Sequence, residues 1–111
     1  MSEINELKDL VAEFIKERDW NKFHNPKNIS MSIAIEAGEL MEIFQWYTNE
    51  ECNSDFIEKN RKEIEDEVAD VLIYTLSLAN VCNLDLKRII TSKMERNYLR
   101  FPVERVKGKL G

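Results

Sequence analysis

Helix breakers are scarce in this chain: 111 residues hold only three glycines and two prolines. With so few turn-forming residues, a β-sandwich or barrel built on many tight turns is excluded, and long helices are favoured. There is one histidine, His24, so helix-borne His-rich metal sites are excluded, including a di-iron centre built on Glu-x-x-His motifs. The two cysteines, Cys52 and Cys82, lack metal-ligand spacing and read as reduced thiols of a cytoplasmic protein. No secretory leader is evident at the start. The most apolar stretch, Val68 to Cys82, carries Asp70 and Asn80. It is too short and too polar for a membrane span of about 20 residues. Lysine and arginine are scattered, and the net charge is −5. A nucleic-acid polymer and a membrane are therefore not expected partners.

What is present is charge and aliphatic bulk, 33% and 43% hydrophobic of all kinds, the composition of a folded domain rather than a disordered one. One domain is expected over residues 1–111, with a basic, loosely ordered tail from about 103 to 111. A first helix is predicted over Glu3–Arg18, where Ile4, Leu7, Leu10, Val11, Phe14 and Ile15 form one stripe. Asp19 to Asn28 reads as an ordered loop containing Trp20 and Phe23. A second helix runs from Asn28–Ser30, either of which can cap it, to about Tyr47. Thr48–Ser54 connects it to a third, predicted over Asp55–Val81 with an Asp55/Glu58 capping box. Asn83 suits a C′ position, Asp85 caps a fourth helix to about Leu99, and Pro102 ends it. The second half of the third helix is apolar nearly all round. One small domain can hardly surround it, so a second subunit is expected against it. The fold class is all-α, an oligomeric four-helix bundle.

Within this helical text four carboxylates stand among apolar neighbours. Glu36 and Glu39 lie in Ser32-Ile33-Ala34-Ile35-Glu36-Ala37-Gly38-Glu39-Leu40-Met41, and Glu67 and Asp70 lie in Glu67-Val68-Ala69-Asp70-Val71-Leu72. Each pair has i, i+3 spacing and so shares a helix face. Buried carboxylates repel one another or take up protons unless a cation answers them. A hard divalent ion with oxygen ligands fits. Spacing alone leaves Asp66 as an alternative partner of Asp70 at i, i+4. It also leaves Glu42 as a third ligand, a base or an exposed residue. Glu63, Glu65 and Asp66 read as a solvated face.

These residues carry a resemblance. Glu36-Ala37-Gly38-Glu39 followed by Glu67-Val68-Ala69-Asp70 is similar to the paired acidic motifs of the MazG-like all-α nucleoside triphosphate pyrophosphohydrolases. Their dCTP pyrophosphatase branch is resembled further by Arg18-Asp19-Trp20-Asn21-Lys22-Phe23-His24, Gly38–Trp46, Asp70–Tyr74, Ser92–Asn97 and Arg100-Phe101-Pro102-Val103. The resemblance covers nearly the whole chain. It implies Mg²⁺-dependent hydrolysis of a nucleoside triphosphate, dCTP or a related pyrimidine, to monophosphate and pyrophosphate, with Mn²⁺ as a substitute ion. It also implies a dimer or tetramer. By resemblance the metal ligands are Glu36, Glu39, Glu67 and Asp70, with Glu36 or Glu39 activating water. Trp20, His24, Trp46, Tyr74, Lys93, Asn97 and Arg100 then bind the nucleotide. A general MazG-like hydrolase acting on a purine or non-standard nucleotide, and a non-catalytic helical module that binds nucleotide or a partner protein, are the alternatives. Phe101 departs from the resemblance: it stands where such proteins often carry Tyr. The chain also ends soon after that motif. Both points bear on base preference.

Overall fold

The computed structural model describes residues 2–109 and is all-helical, with six α-helices and no strand among those residues. Helix α1, Glu3–Glu17, starts at Ser2, whose hydroxyl accepts the Asn5 N–H at 3.3 Å. It ends in a left-handed turn at Asp19, φ 54°. The Trp20 N–H reaches back to the Ile15 carbonyl and the Asp19 N–H to the Lys16 carbonyl, both at 3.0 Å. This six-to-one closure folds the chain back on the helix. It sets the Trp20 ring edge-on to Phe14, 5.8 Å between centroids. One 3-10 turn, Asn21–Phe23, leads into α2, Pro26–Phe44.

Helix α2 begins before the Asn28–Ser30 start that its apolar pattern suggests. Asn25 is the cap, its Oδ1 accepting the Asn28 N–H at 2.9 Å. Pro26 sits at the first helical position, where its fixed φ favours the helix and its missing N–H costs nothing. After α2 closes at Phe44, Thr48 and Glu51 cap one another: the Thr48 N–H donates to Glu51 Oε1 at 2.8 Å, and the Glu51 N–H to Thr48 Oγ1 at 3.2 Å.

The predicted single helix from Asp55 is two helices, α3 (Ser54–Lys59) and α4 (Arg61–Val81). Asn53, not Asp55, caps α3, accepting the Phe56 N–H at 3.1 Å. The break falls at Asn60, whose side chain donates to the Phe56 carbonyl at 2.9 Å and so competes with the helical ladder. Phe56 packs on Phe44 and Tyr47, at 5.7 and 4.8 Å between centroids. This folds α3 over the end of α2. Asn83 does occupy the left-handed C′ position after α4, φ 55°, with the Leu84 N–H on the Ala79 carbonyl at 2.8 Å. Asp85 caps α5, Leu86–Arg100. The segment read as a loose tail forms a short helical turn, α6, over Val103–Val106.

Helices α1 and α2 both pack against α4. The core is Val11, Ile15, Leu76, Ala79 and Leu86, with Ile4, Leu84 and Ile89 against it. Helix α5 leaves α4 at a bend of 104°. Beyond its first turns it exposes Ile90, Met94, Tyr98 and Leu99. The chain is accordingly extended. Its radius of gyration is 17.3 Å, against about 13 Å for a compact domain of this length. Its accessible surface is 8958 Å², against about 6,400 Å² for a compact monomer of this mass. Among the described residues no single helix is long and apolar enough to cross a membrane.

Candidate metal centre and adjoining cleft

Packing of α2 on α4 brings the two acid pairs face to face. Carboxylate oxygens of Glu36, Glu67 and Asp70 lie within 4.8 Å of one another. Glu39 lies against both Glu36 and Glu67 and contributes to the charge that each feels. Asp66 is elsewhere, on an outer face, 3.9 Å from the Lys62 ammonium. Glu42 is exposed and not among the converging groups. The three ion pairs among the described residues are Asp19–Lys22, Glu58–Arg61 and Lys62–Asp66. None of them neutralises the cluster.

The cluster is electrostatically unsatisfied. Glu36 Oε2 and Glu67 Oε2 are buried without a hydrogen-bond partner. The Glu36 carboxyl is pushed up from 4.5 to about 7, first by desolvation, then by Glu39, Asp70 and Glu67. Glu67 is also raised, by desolvation first and then by Glu39 and Asp70. Two orphaned buried oxygens in an all-carboxylate set are what a hard divalent cation would satisfy, so the residues fit such an ion.

A proton on Glu36 competes with that cation. Divalent-metal affinity, followed by titration calorimetry, is expected to fall about tenfold from pH 8 to pH 6, with roughly one proton displaced per ion at the lower pH. The sign for the metal-free fold is opposite. Because the folded-state value lies above the unfolded one, the native state binds more protons between pH 4.5 and 7. The metal-free protein therefore loses stability as pH rises through 7.

Asp70 also lines a small cleft of about 140 Å³ between α1, the 3-10 turn and α4. Trp20, His24, Tyr74 and Ser77 line it over a floor that includes Phe14 and Ile15. Asp70, Tyr74 and Ser77 follow at i, i+4 and i+7, so one face of α4 serves both the acids and the cleft. His24 Nδ1 lies 2.8 Å from the Trp20 carbonyl, which fixes the ring over the turn.

Of the residues expected to bind nucleotide, Trp20, His24 and Tyr74 are thus brought together beside Asp70. Trp46, Lys93, Asn97 and Arg100 are not. Trp46 follows the end of α2 and is 81% exposed. The others lie on α5, with the Arg100 guanidinium 5.0 Å over the Phe101 ring. Sequence reading missed Ser77. Its signal was a polar residue in apolar helix text, in register with Asp70 and Tyr74.

The MazG-like family pattern matches residues 31–109. The chain is 41% identical to rat dCTP pyrophosphatase 1 over 106 residues, 95% of this chain and 62% of the relative. It is 40% identical to the human protein of that name over 100 residues, 89% of this chain and 59% of the relative. It therefore spans about three-fifths of the length of these curated relatives. The crystal structure of a pyrophosphatase from Archaeoglobus fulgidus is 40% identical and superposes with a TM-score of 0.85, covering 92% of this chain and 94% of that one.

Proposed function

The chain belongs to the MazG-like family, and from that premise we propose that it is an enzyme hydrolysing a nucleoside triphosphate, dCTP or a related pyrimidine deoxynucleotide, to the monophosphate and pyrophosphate. One observation carries the reading: Asp70 belongs at once to an unneutralised acid cluster and to a cleft walled by Trp20, His24 and Tyr74. Triphosphate chemistry and base recognition are thus adjacent. The relatives' dCTP pyrophosphatase name and the archaeal pyrophosphatase support the same activity.

In this proposal Glu36, Glu39, Glu67 and Asp70 hold Mg²⁺, or Mn²⁺ in its place. The ion would neutralise phosphate charge and make the α-phosphorus open to in-line attack. Glu39, exposed yet against the half-buried acids, orients the attacking water and takes its proton, with Glu36 as the other carboxylate suited to that role. The Trp20 and Tyr74 rings flank the base, and His24 contacts its edge. Removing the substrate from the cytoplasmic triphosphate pool would be a sanitising role.

We also propose that the single domain works as a homodimer or tetramer. Each chain exposes roughly 2,500 Å² more than a compact monomer would, an amount that suits obligate interfaces. The four-helix bundle would close between copies, through α5 and the apolar side of α1. Lys93, Asn97, Arg100 and Trp46, outside the cleft in one chain, would meet substrate through that assembly.

The test is pyrophosphate release across a panel of ribo- and deoxynucleoside triphosphates with Mg²⁺. Release from dCTP ahead of purine nucleotides is expected. Preference for a purine would move the substrate class, and no release from any triphosphate would leave only a binding module.

A further inference from the structure

Among the described residues Ser77 is the buried polar one, 2% exposed. It lines the cleft beside Asp70 and also a second cavity of about 120 Å³ bounded in part by Ile15, Asn21 and Asn80. Nearby polar groups on α4 are engaged. The Thr75 hydroxyl donates to the Val71 carbonyl at 2.8 Å, and the Asn80 amide to the Lys8 carbonyl at 2.9 Å. The Ser77 hydroxyl has no such bond among the described residues. At the wall of both cavities this hydroxyl, not bonded within the chain, is free to donate to a ligand.

His24 is the other polar side chain that lines both cavities. Its Nδ1 faces the Trp20 carbonyl at 2.8 Å. A carbonyl can only accept, so Nδ1 carries the hydrogen, and in the neutral ring Nε2 is a bare acceptor. An acceptor and a hydroxyl donor are therefore presented to the same space. At 1.5 Å per residue, Ser77 lies about 10 Å along α4 from Asp70, far enough for a nucleoside to extend from the acids to the hydroxyl.

We propose that Ser77 is a specificity-determining residue that, paired with His24, reads the hydrogen-bonding edge of the base. The proposal rests on the cleft being the nucleotide site. Cytosine fits this pair: its exocyclic amino group donates to His24 Nε2, and its adjacent ring nitrogen accepts from the Ser77 hydroxyl. Uracil and thymine place a carbonyl where the amino group would be, lone pair against lone pair with Nε2, and that mismatch is penalised. The small serine side chain also leaves the cavity open, which a larger residue would close.

Calorimetric binding of dCMP and dUMP to the full chain tests this without turnover, with inorganic triphosphate as a ligand that has no base. Wild type is expected to bind dCMP about tenfold tighter than dUMP, and Ser77→Ala to weaken dCMP about tenfold. Triphosphate affinity should be unchanged in the variant. Equal affinity of wild type for the two monophosphates, no dCMP binding, or a Ser77→Ala loss that is equal for dCMP and triphosphate would each overturn the proposal. Pyrophosphate release separates the two readings. An enzyme that cleaves every triphosphate equally keeps its proposed reaction and loses this base reader.

Discussion

Glu36→Gln is expected to lower pyrophosphate release about a thousandfold or more while making the metal-free protein melt at a higher temperature. The two effects share one cause. Glu36 Oε2 is buried without a donor, and its carboxyl is raised to about 7 by desolvation and by three acidic neighbours. Glutamine keeps the shape and removes one of the charges that repel each other. Its amide can donate to the remaining carboxylates, so the metal-free fold gains stability above pH 7. The same change removes one anionic oxygen from the set formed with Glu67 and Asp70. In the proposed reaction that weakens the charge stabilisation at the α-phosphate, and such terms are large. Thermal melts with and without Mg²⁺ check the stability half. Mg²⁺ should raise the wild-type midpoint by several degrees and move that of the variant little. A variant that keeps wild-type turnover would remove Glu36 from the metal site. One that melts lower without metal would show that the cluster is not repulsive.

The acids were legible because their chemistry conflicts with their surroundings: carboxylates at i, i+3 in apolar text demand an explanation that a solvated face does not. The choice between Asp66 and Glu67 was not legible from spacing, since both lie near the face of Asp70. Packing decides the geometry by turning Asp66 outward to Lys62. The all-helical class followed from the scarcity of breakers, yet the same reasoning ran α3 and α4 together. Asn60 is not a strong breaker by type, and its side-chain bond to the Phe56 carbonyl depends on the local fold. The start of α2 was placed too late: Pro26, inside the segment read as a loop, occupies the first helical position, where proline favours initiation. Ser77 escaped notice because one hydroxyl in apolar text is common. Only its burial at a cavity wall distinguishes it. The course of α5 beyond its first turn could not be read, because Ile90, Met94, Tyr98 and Leu99 stand exposed on the single chain, while only Leu86 and Ile89 meet the core.

That unpartnered surface gives the second large effect. Leu7, Leu10 and Phe14 of α1, 51%, 68% and 47% exposed, line an entirely apolar groove with exposed Ile73 and with Val11 and Leu76 of the core. Leu10→Glu puts a charge in the middle of it. In a lone chain the residue faces water, so helix content and melting should change little. In an assembly that covers the groove, the change removes a buried leucine and desolvates a carboxylate, which together weaken association by about a hundredfold or more. Sedimentation velocity should therefore show wild type as a dimer or tetramer and Leu10→Glu as a monomer at the same micromolar concentration. Activity should fall in parallel, although Leu10 touches neither the acids nor the base edge. Val11, Phe14 and Ile73 wall both this groove and the cleft beside Asp70, and the α5 cations lie outside the cleft of a single chain. A monomeric wild type with full turnover would place the whole reaction within one chain. An oligomer unaffected by Leu10→Glu would move the interface away from α1.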